Sequence, residues 1–215
     1  PFFIPTPPLL GPAGTLGAFI KILSPLPSRR ATFDIGVAGP IAGFLMLIPV
    51  AVLGFLTMKN LALPPEAGLS EGIYFSDPLL LKILAYLTGT DLSVQIAPNP
   101  FYAAAWIGLL VTSLNLIPSG QLDGGHAIFS VFGEAIHKWT GRIAFIVMAS
   151  LSVMGWFFYN SPSGFLFTIL LAVMMRIRHP EPLSDEPLNF NRKLIAVLVL
   201  LIFVLSFVPF PIQIR

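Results

Sequence analysis

The sequence predicts an all-α polytopic membrane protein of about five transmembrane helices, with a short membrane-associated β-like segment near its start. Of its 215 residues, 55% are hydrophobic and only 10% charged, against roughly 25% charged in an ordinary soluble domain. Long stretches carry no charge at all: between Asp34 and Lys59, Asp91 and Asp123, Arg142 and Arg176, and Lys193 and Arg215. A spanning helix needs about 20 mostly apolar residues, and these gaps supply them. With alternating crossings, Arg29 and Arg30, Lys138 and Arg142, and Arg176, Arg178, Arg192 and Lys193 all fall on one side, as the positive-inside rule requires of a cytoplasmic or equivalent face.

Residues 1–33 are rich in Pro and Gly and contain T-L-G-A-F-I-K-I at 15–22, which reads as a loop with one or two strands. Asp34 is a suitable N-cap, so the first helix is expected over 35–58. Within it Gly39 and Gly43 have the i, i+4 spacing that lets another helix come close, and Pro40 is a kink point. Residues 60–100, with scattered Pro, Glu, Asp and Gly, read as an extramembrane loop. Its apolar part, 78–89, is too short to span and suits an interfacial or core-packed helix.

The next helix is expected over 101–117, with Tyr102 and Trp106 as interfacial anchors. Pro118, Gly120, Gly124 and Gly125 then interrupt it, so 118–125 should be non-helical or broken. Such backbone is tolerated at membrane depth only when buried in protein or lining a water-filled cavity. Helices over 143–159 and 165–177 flank N-S-P-S-G and should form a hairpin, with arms short for full spans. The last helix is expected over 194–212. Residues 1–215 form one membrane-embedded domain. The start, P-F-F-I-P, has neither an initiator Met nor a signal-peptide pattern, so the chain reads as the C-terminal part of a longer polypeptide.

The net charge of +2 is read as a record of orientation, and no nucleic-acid signal is present. The absence of cysteine excludes a disulfide framework and a thiol nucleophile.

The chemistry concentrates at residues 115–126, N-L-I-P-S-G-Q-L-D-G-G-H. An ionisable group at membrane depth is a functional candidate by default, and Asp123 is the only acidic residue between Asp91 and Glu134. Its carboxylate suits a hard-oxygen metal ligand, a proton carrier or half of an ion pair. The flanking glycines fit all three, because they let backbone approach closely. Pro118 ends the preceding helix and leaves carbonyls near Leu114 without donors. The Asn115 amide can satisfy such groups or donate to a developing oxyanion. Read alone, L-D-G is a common turn.

The spaced set N-x-x-P-x-x-x-L-D-G at 115–124 resembles the second signature of the site-2 protease family of intramembrane zinc metalloproteases. G-T-L-G-A-F-I at 14–20, the stretch 29–34, A-G-P-I-A-G at 38–43 and His179-Pro180 resemble the branch found in bacteria and plant plastids. The resemblance implies an integral protein of the bacterial inner membrane, or of a plastid membrane in a plant, which hydrolyses peptide bonds of transmembrane protein substrates within the lipid bilayer. It implies Zn2+ as cofactor, with Asp123 as the third ligand beside two His of H-E-x-x-H, whose Glu is the general base. It also implies that Asn115 holds substrate or stabilises the tetrahedral intermediate.

The three histidines, His126, His137 and His179, form no H-E-x-x-H and no i, i+4 pair. The half of the site with that motif is therefore expected outside this segment. A supporting role beside the metal is assigned to His126, Gly124 and Pro118, since ligands lean on such partners. For His126 this is favoured over direct ligation, because Gly124 and Gly125 disfavour a helical pairing with Asp123. His137 is expected to be solvated and His179 interfacial. An extended substrate could add to the strand edge at Gly17, Ala18 and Phe19, with a plain membrane-surface hairpin as the alternative. The rival readings are a non-catalytic homologue acting as a membrane scaffold or regulator, and a transporter fragment. The latter predicts a second broken helix in an internal repeat, which the sequence lacks.

Overall fold

The apolar runs form helices, and in this computed structural model, which describes residues 2–5, 15–19, 26–58, 73–92, 99–177, 179 and 182–214, helices dominate. In chain order the elements are β1 (Phe2–Pro5), β2 (Thr15–Phe19), α1 (Arg29–Leu56), β3 (Ile73–Phe75), α2 (Leu79–Thr88), α3 (Pro100–Asn115), α4 (Asp123–Phe132), α5 (Glu134–Tyr159), α6 (Ser163–Met174), α7 (Phe190–Ser206) and β4 (Ile212–Ile214). Two of the helices, α1 with 28 residues and α5 with 26, are long and apolar enough to cross a membrane by length and composition. At 1.5 Å per residue each reaches about 40 Å, more than the ~30 Å of hydrocarbon.

Several boundaries differ from the sequence expectation, each for a local reason. Helix α1 begins at Arg29 because Ser28, not Asp34, is its cap: the Ser28 hydroxyl accepts from the Ala31 N–H at 3.1 Å. Asp34 lies inside the helix and pairs with Arg192, 2.6 Å away. Helix α5 begins at Glu134, so the first arm of the hairpin is full length, with His137, Lys138 and Arg142 in its opening turns. Asn160, at φ 47°, closes it in the left-handed region, and the hairpin forms as expected. Helix α7 stops at Ser206, since Phe207 is extended, and the chain continues into β4. Residues 60–72 and 93–98 of the expected 60–100 loop, and 20–22 of the β-like run, lie outside the described residues.

Helix α1 packs against α2, α3, α4 and α7, while α5 and α6 pack on each other and α5 on α4. The close approaches use small residues, as membrane packing favours, but not at Gly39 and Gly43. A Cβ on Gly39 would meet nothing within 4 Å among the described residues, whereas one on Gly54 would lie 2.9 Å from the Tyr102 nitrogen. The outward faces of α1, α5 and α7 expose Leu45, Met46, Ile146, Phe157, Leu200 and Leu201. An apolar surface of this kind is a solvent face in lipid and a liability in water.

The helix ends meet at two poles. At one, Arg29 pairs with Asp185 at 3.1 Å, Arg30 with Glu186 at 3.0 Å, and Arg192 with Asp34. At the other, the polar groups are mostly neutral. Strands β3 and β4 pair antiparallel with Tyr74 opposite Gln213, Trp106 donates to the Ser76 carbonyl at 2.8 Å, and the Ser161 hydroxyl donates to the Ile212 carbonyl. Strands β1 and β2 pair antiparallel in a separate two-stranded sheet, with Phe3 opposite Ala18.

Asn99 joins α1 to α3 at the second pole. Its carbonyl oxygen caps α3 by accepting from the Tyr102 N–H at 2.8 Å, and its NH2 donates to the Gly54 carbonyl at 2.8 Å and the Thr57 hydroxyl at 2.9 Å. Asn99→Ala is expected to lower unfolding free energy by about 1–3 kcal/mol. Asn99→Asp, which keeps the cap and loses both donors, should fall between it and the wild type when unfolding is followed by circular dichroism in detergent.

Candidate functional site

Helix α3 ends at Asn115, and Pro118 cannot continue it. The chain makes a tight turn over 116–122, in which Ser119 N–H donates to the Ile117 carbonyl at 2.8 Å and Leu122 N–H to the Ser119 carbonyl at 3.2 Å. It becomes helical again at Asp123. The non-helical part is therefore shorter than the 118–125 expected: Gly124 and Gly125 belong to α4. Weak helix formers accept the helix here because its first turn presses on the turn before it. A Cβ on Gly124 would overlap the Leu116 carbonyl, and one on Gly125 would stand 2.5 Å from the Gly120 oxygen.

Gly120, at φ 55°, lies equally close to the Met174 carbonyl at the end of α6. Its own carbonyl accepts from His137 Nε2–H at 3.0 Å. His137 is thus buried, not solvated, and its role is to pair a carbonyl freed by the break. Pro118 is backed by α5, its carbonyl lying 3.7 Å from where a Gly141 Cβ would stand.

Asp123 occupies the first turn of α4, where the N-terminal end of the helix dipole favours a carboxylate. It is half-buried, as is Asn115 at the other end of the turn. Neither side chain has a hydrogen bond or ion pair among the described residues. His126 lies one helical turn from Asp123 in the same helix, so the i, i+3 geometry discounted from the glycines is present. Helix α1 touches both at Gly36, where an added Cβ would stand 2.6 Å from His126 Cβ and 3.1 Å from the Asp123 carbonyl oxygen. Pro40 withdraws the N–H that would pair with the Gly36 carbonyl in a regular helix.

His179 also departs from expectation. It is not free at an interface: its Nε2 lies 2.7 Å from His126 Nδ1, and its ring stacks on Phe129 with centroids 4.0 Å apart. Sequence reasoning missed Gly36, His137 and His179, because no local spacing links them to Asp123, and it missed Phe129, because 124–125 was expected to be non-helical.

The fit to a metal is partial. A half-buried carboxylate without a cation suits one ligand position, yet among the described residues no group of three or more His, Asp or Glu side chains is placed to hold an ion. The described residues do not make a zinc centre by themselves. Gly17, Ala18 and Phe19 lie in β2, and Gly14, Ile20 and Pro180 fall outside the described residues.

The sequence pattern of peptidase family M50 matches residues 2–157, covering the strands β1 and β2, the helices α3 and α4 with the break between them, and most of α5. The chain belongs to peptidase family M50, the site-2 protease family. Among its relatives is the protein named "Probable zinc metalloprotease EGY2, chloroplastic" of Oryza sativa subsp. indica, 31% identical over 98% of this chain and 37% of the relative. The Arabidopsis thaliana protein of the same name is 29% identical over 98% of this chain and 36% of its own length. The Arabidopsis "Probable zinc metalloprotease EGY1, chloroplastic" is 28% identical over 97% and 37%. The chain thus spans little more than a third of these relatives. No solved structure matches it.

Gly124→Ala is expected to displace the 116–122 turn, since the group in its way is backbone, and to lower unfolding free energy by about 1–3 kcal/mol. Gly89, an exposed left-handed C-cap with open space around it, should lose less on replacement by Asn, at most about 1 kcal/mol, since only the left-handed backbone opposes it and Asn tolerates that region best after Gly. Chemical unfolding of the two variants side by side gives the contrast.

Proposed function

We propose that this chain is part of an intramembrane zinc metalloprotease that hydrolyses peptide bonds of transmembrane substrates. The observation that carries the reading is Asp123: a half-buried carboxylate at the start of α4, without a partner among the described residues, in a chain of the site-2 protease family. Asp123 supplies one zinc ligand, and the two histidines of H-E-x-x-H, with its Glu as general base, come from outside this sequence. A zinc ion bound at three such ligands supplies an acidified water and polarises a carbonyl.

The chain's own residues do the rest. Asn115, across the 116–122 turn from Asp123, offers its NH2 to the scissile carbonyl as charge develops there. The backbone of β2 at Gly17, Ala18 and Phe19 receives the substrate as an added strand, which exposes a peptide bond that a helix would keep hydrogen bonded. Five crossings of the bilayer, formed by α1, the α3–α4 pair, α5, α6 and α7, put the basic pole on the cytoplasmic or equivalent side. Asp123 then sits near that side, because it packs beside Gly36, about 10 Å along α1 from Arg29. The relatives named chloroplastic support a plastid membrane as the location.

Zinc analysis of the full-length protein tests the reading. Asp123→Asn is expected to reduce bound zinc from about one per chain to near zero and to abolish proteolysis, while leaving the helical content unchanged. Full zinc occupancy in that variant, or a full-length wild type that binds none, would move the protein to the non-catalytic scaffolds. Asn115→Ala should keep zinc and lower kcat by about 10²–10³-fold, measured in single-turnover cleavage of a transmembrane substrate.

A further inference from the structure

We infer that His179 is a positioning residue for Asp123, holding the first turn of α4 in place through its contacts with His126 and Phe129. This rests on the proteolytic reading above. Asp123, His126 and Phe129 follow one another at three-residue intervals on α4 and so form one stripe along the helix. His179, 53 residues away from His126 in sequence, engages the two lower members: it is bonded to His126 Nδ1 at 2.7 Å and lies parallel to the Phe129 ring, 13° off plane. His137 meets the His179 ring edge-on, with centroids 5.2 Å apart. All three histidines of the chain therefore gather beneath Asp123.

The segment that delivers His179 is anchored independently. Downstream of it, Asp185 and Glu186 pair with Arg29 and Arg30, Arg29 N–H donates to the Ser184 carbonyl at 3.0 Å, and Leu183 N–H donates to the Leu26 carbonyl at 2.9 Å. Arg29 also donates from Nε to the Ser130 carbonyl at 2.6 Å, which fixes the lower end of α4. The helix is thus held at its foot by a guanidinium and along its face by an imidazole. An imidazole is suited to this place because one flat ring can stack and hydrogen bond at once. A phenyl ring would stack but leave His126 Nδ1, in a residue only 4% exposed, without its partner. With Nδ1 committed to His179, the rotamer of His126 is set, and the turn it shares with Asp123 is set with it.

The test uses the full-length protein, with zinc affinity from chelator competition and kcat and KM from cleavage assays. His179→Ala is expected to weaken zinc binding about 10- to 100-fold, the range for groups that support a ligand, and to lower kcat with KM little changed. His179→Gln, whose amide can bond Nδ1, should recover most of the affinity. His126→Ala combined with His179→Ala should be no weaker than His126→Ala alone, because the effect runs through His126. Wild-type zinc affinity and kcat in His179→Ala, with only the unfolding temperature reduced, would overturn the inference, as would additive effects in the double variant. Should His179→Ala not fold, His179→Phe decides, since it keeps the stack and removes the bond: wild-type affinity there overturns the inference. Zinc lost in Asp123→Asn but unchanged in the His179 variants sinks the positioning role alone, whereas zinc retained in Asp123→Asn sinks the proteolytic reading and this inference together.

Discussion

The break between α3 and α4 must satisfy its own backbone inside the protein, and the rest of the structure is arranged around that requirement. Pro118 stops the helix and takes away the N–H that would pair with a carbonyl of its last turn. In the turn that follows, His137 pairs the Gly120 carbonyl from the first turn of α5. The Leu116, Ile117 and Ser119 carbonyls of the turn face the opening turn of α4, which comes this close only because Gly124 and Gly125 carry no side chains. The same contact that closes the break therefore fixes where α4 begins, and α4 begins with Asp123.

Helix α1 is the element that turns this local arrangement into a site. It packs on α3 and α4 together, so the relative placement of Asn115 and Asp123 is referred to one long helix. Its contact with α4 is at Gly36, against both His126 and the Asp123 backbone. Its two ends are secured by different physics. Ion pairs to 185–186 and to Arg192 hold the basic pole, where exposed charges gain little individually and act mainly by fixing geometry. Uncharged hydrogen bonds through Asn99 hold the other end.

A carboxylate placed in this way is unfinished chemistry. Asp123 has the favourable end of a helix dipole and half-burial, but no cation among the described residues. Membership of the site-2 protease family gives that incompleteness a direction, toward the metal chemistry proposed above. Metal ligands in proteins depend on support from the residues around them, and His126, Phe129, His137 and His179 form one contiguous set of ring contacts on α4, below Asp123.

By itself, the sequence determined the helical class, the hairpin at 160–164, a short helix within 78–89 and a break in the chain at Pro118, and it singled out Asp123 and Asn115 as candidates. These rest on local signals: apolar length, turn residues, and a carboxylate and an amide at fixed distance from a proline. Tertiary structure decided what local signals cannot reach. It moved the start of α1 to Arg29, behind the Ser28 cap, and left Asp34 inside the helix to pair with Arg192. Close approach was assigned to Gly36, Gly54, Gly124 and Gly125 in place of Gly39 and Gly43, since which glycine meets a neighbour depends on how the helices cross. It drew His137 and His179 from the surface into the support of α4, because a buried carbonyl and a buried imidazole each need a partner, and the partners that satisfy them lie far away along the chain.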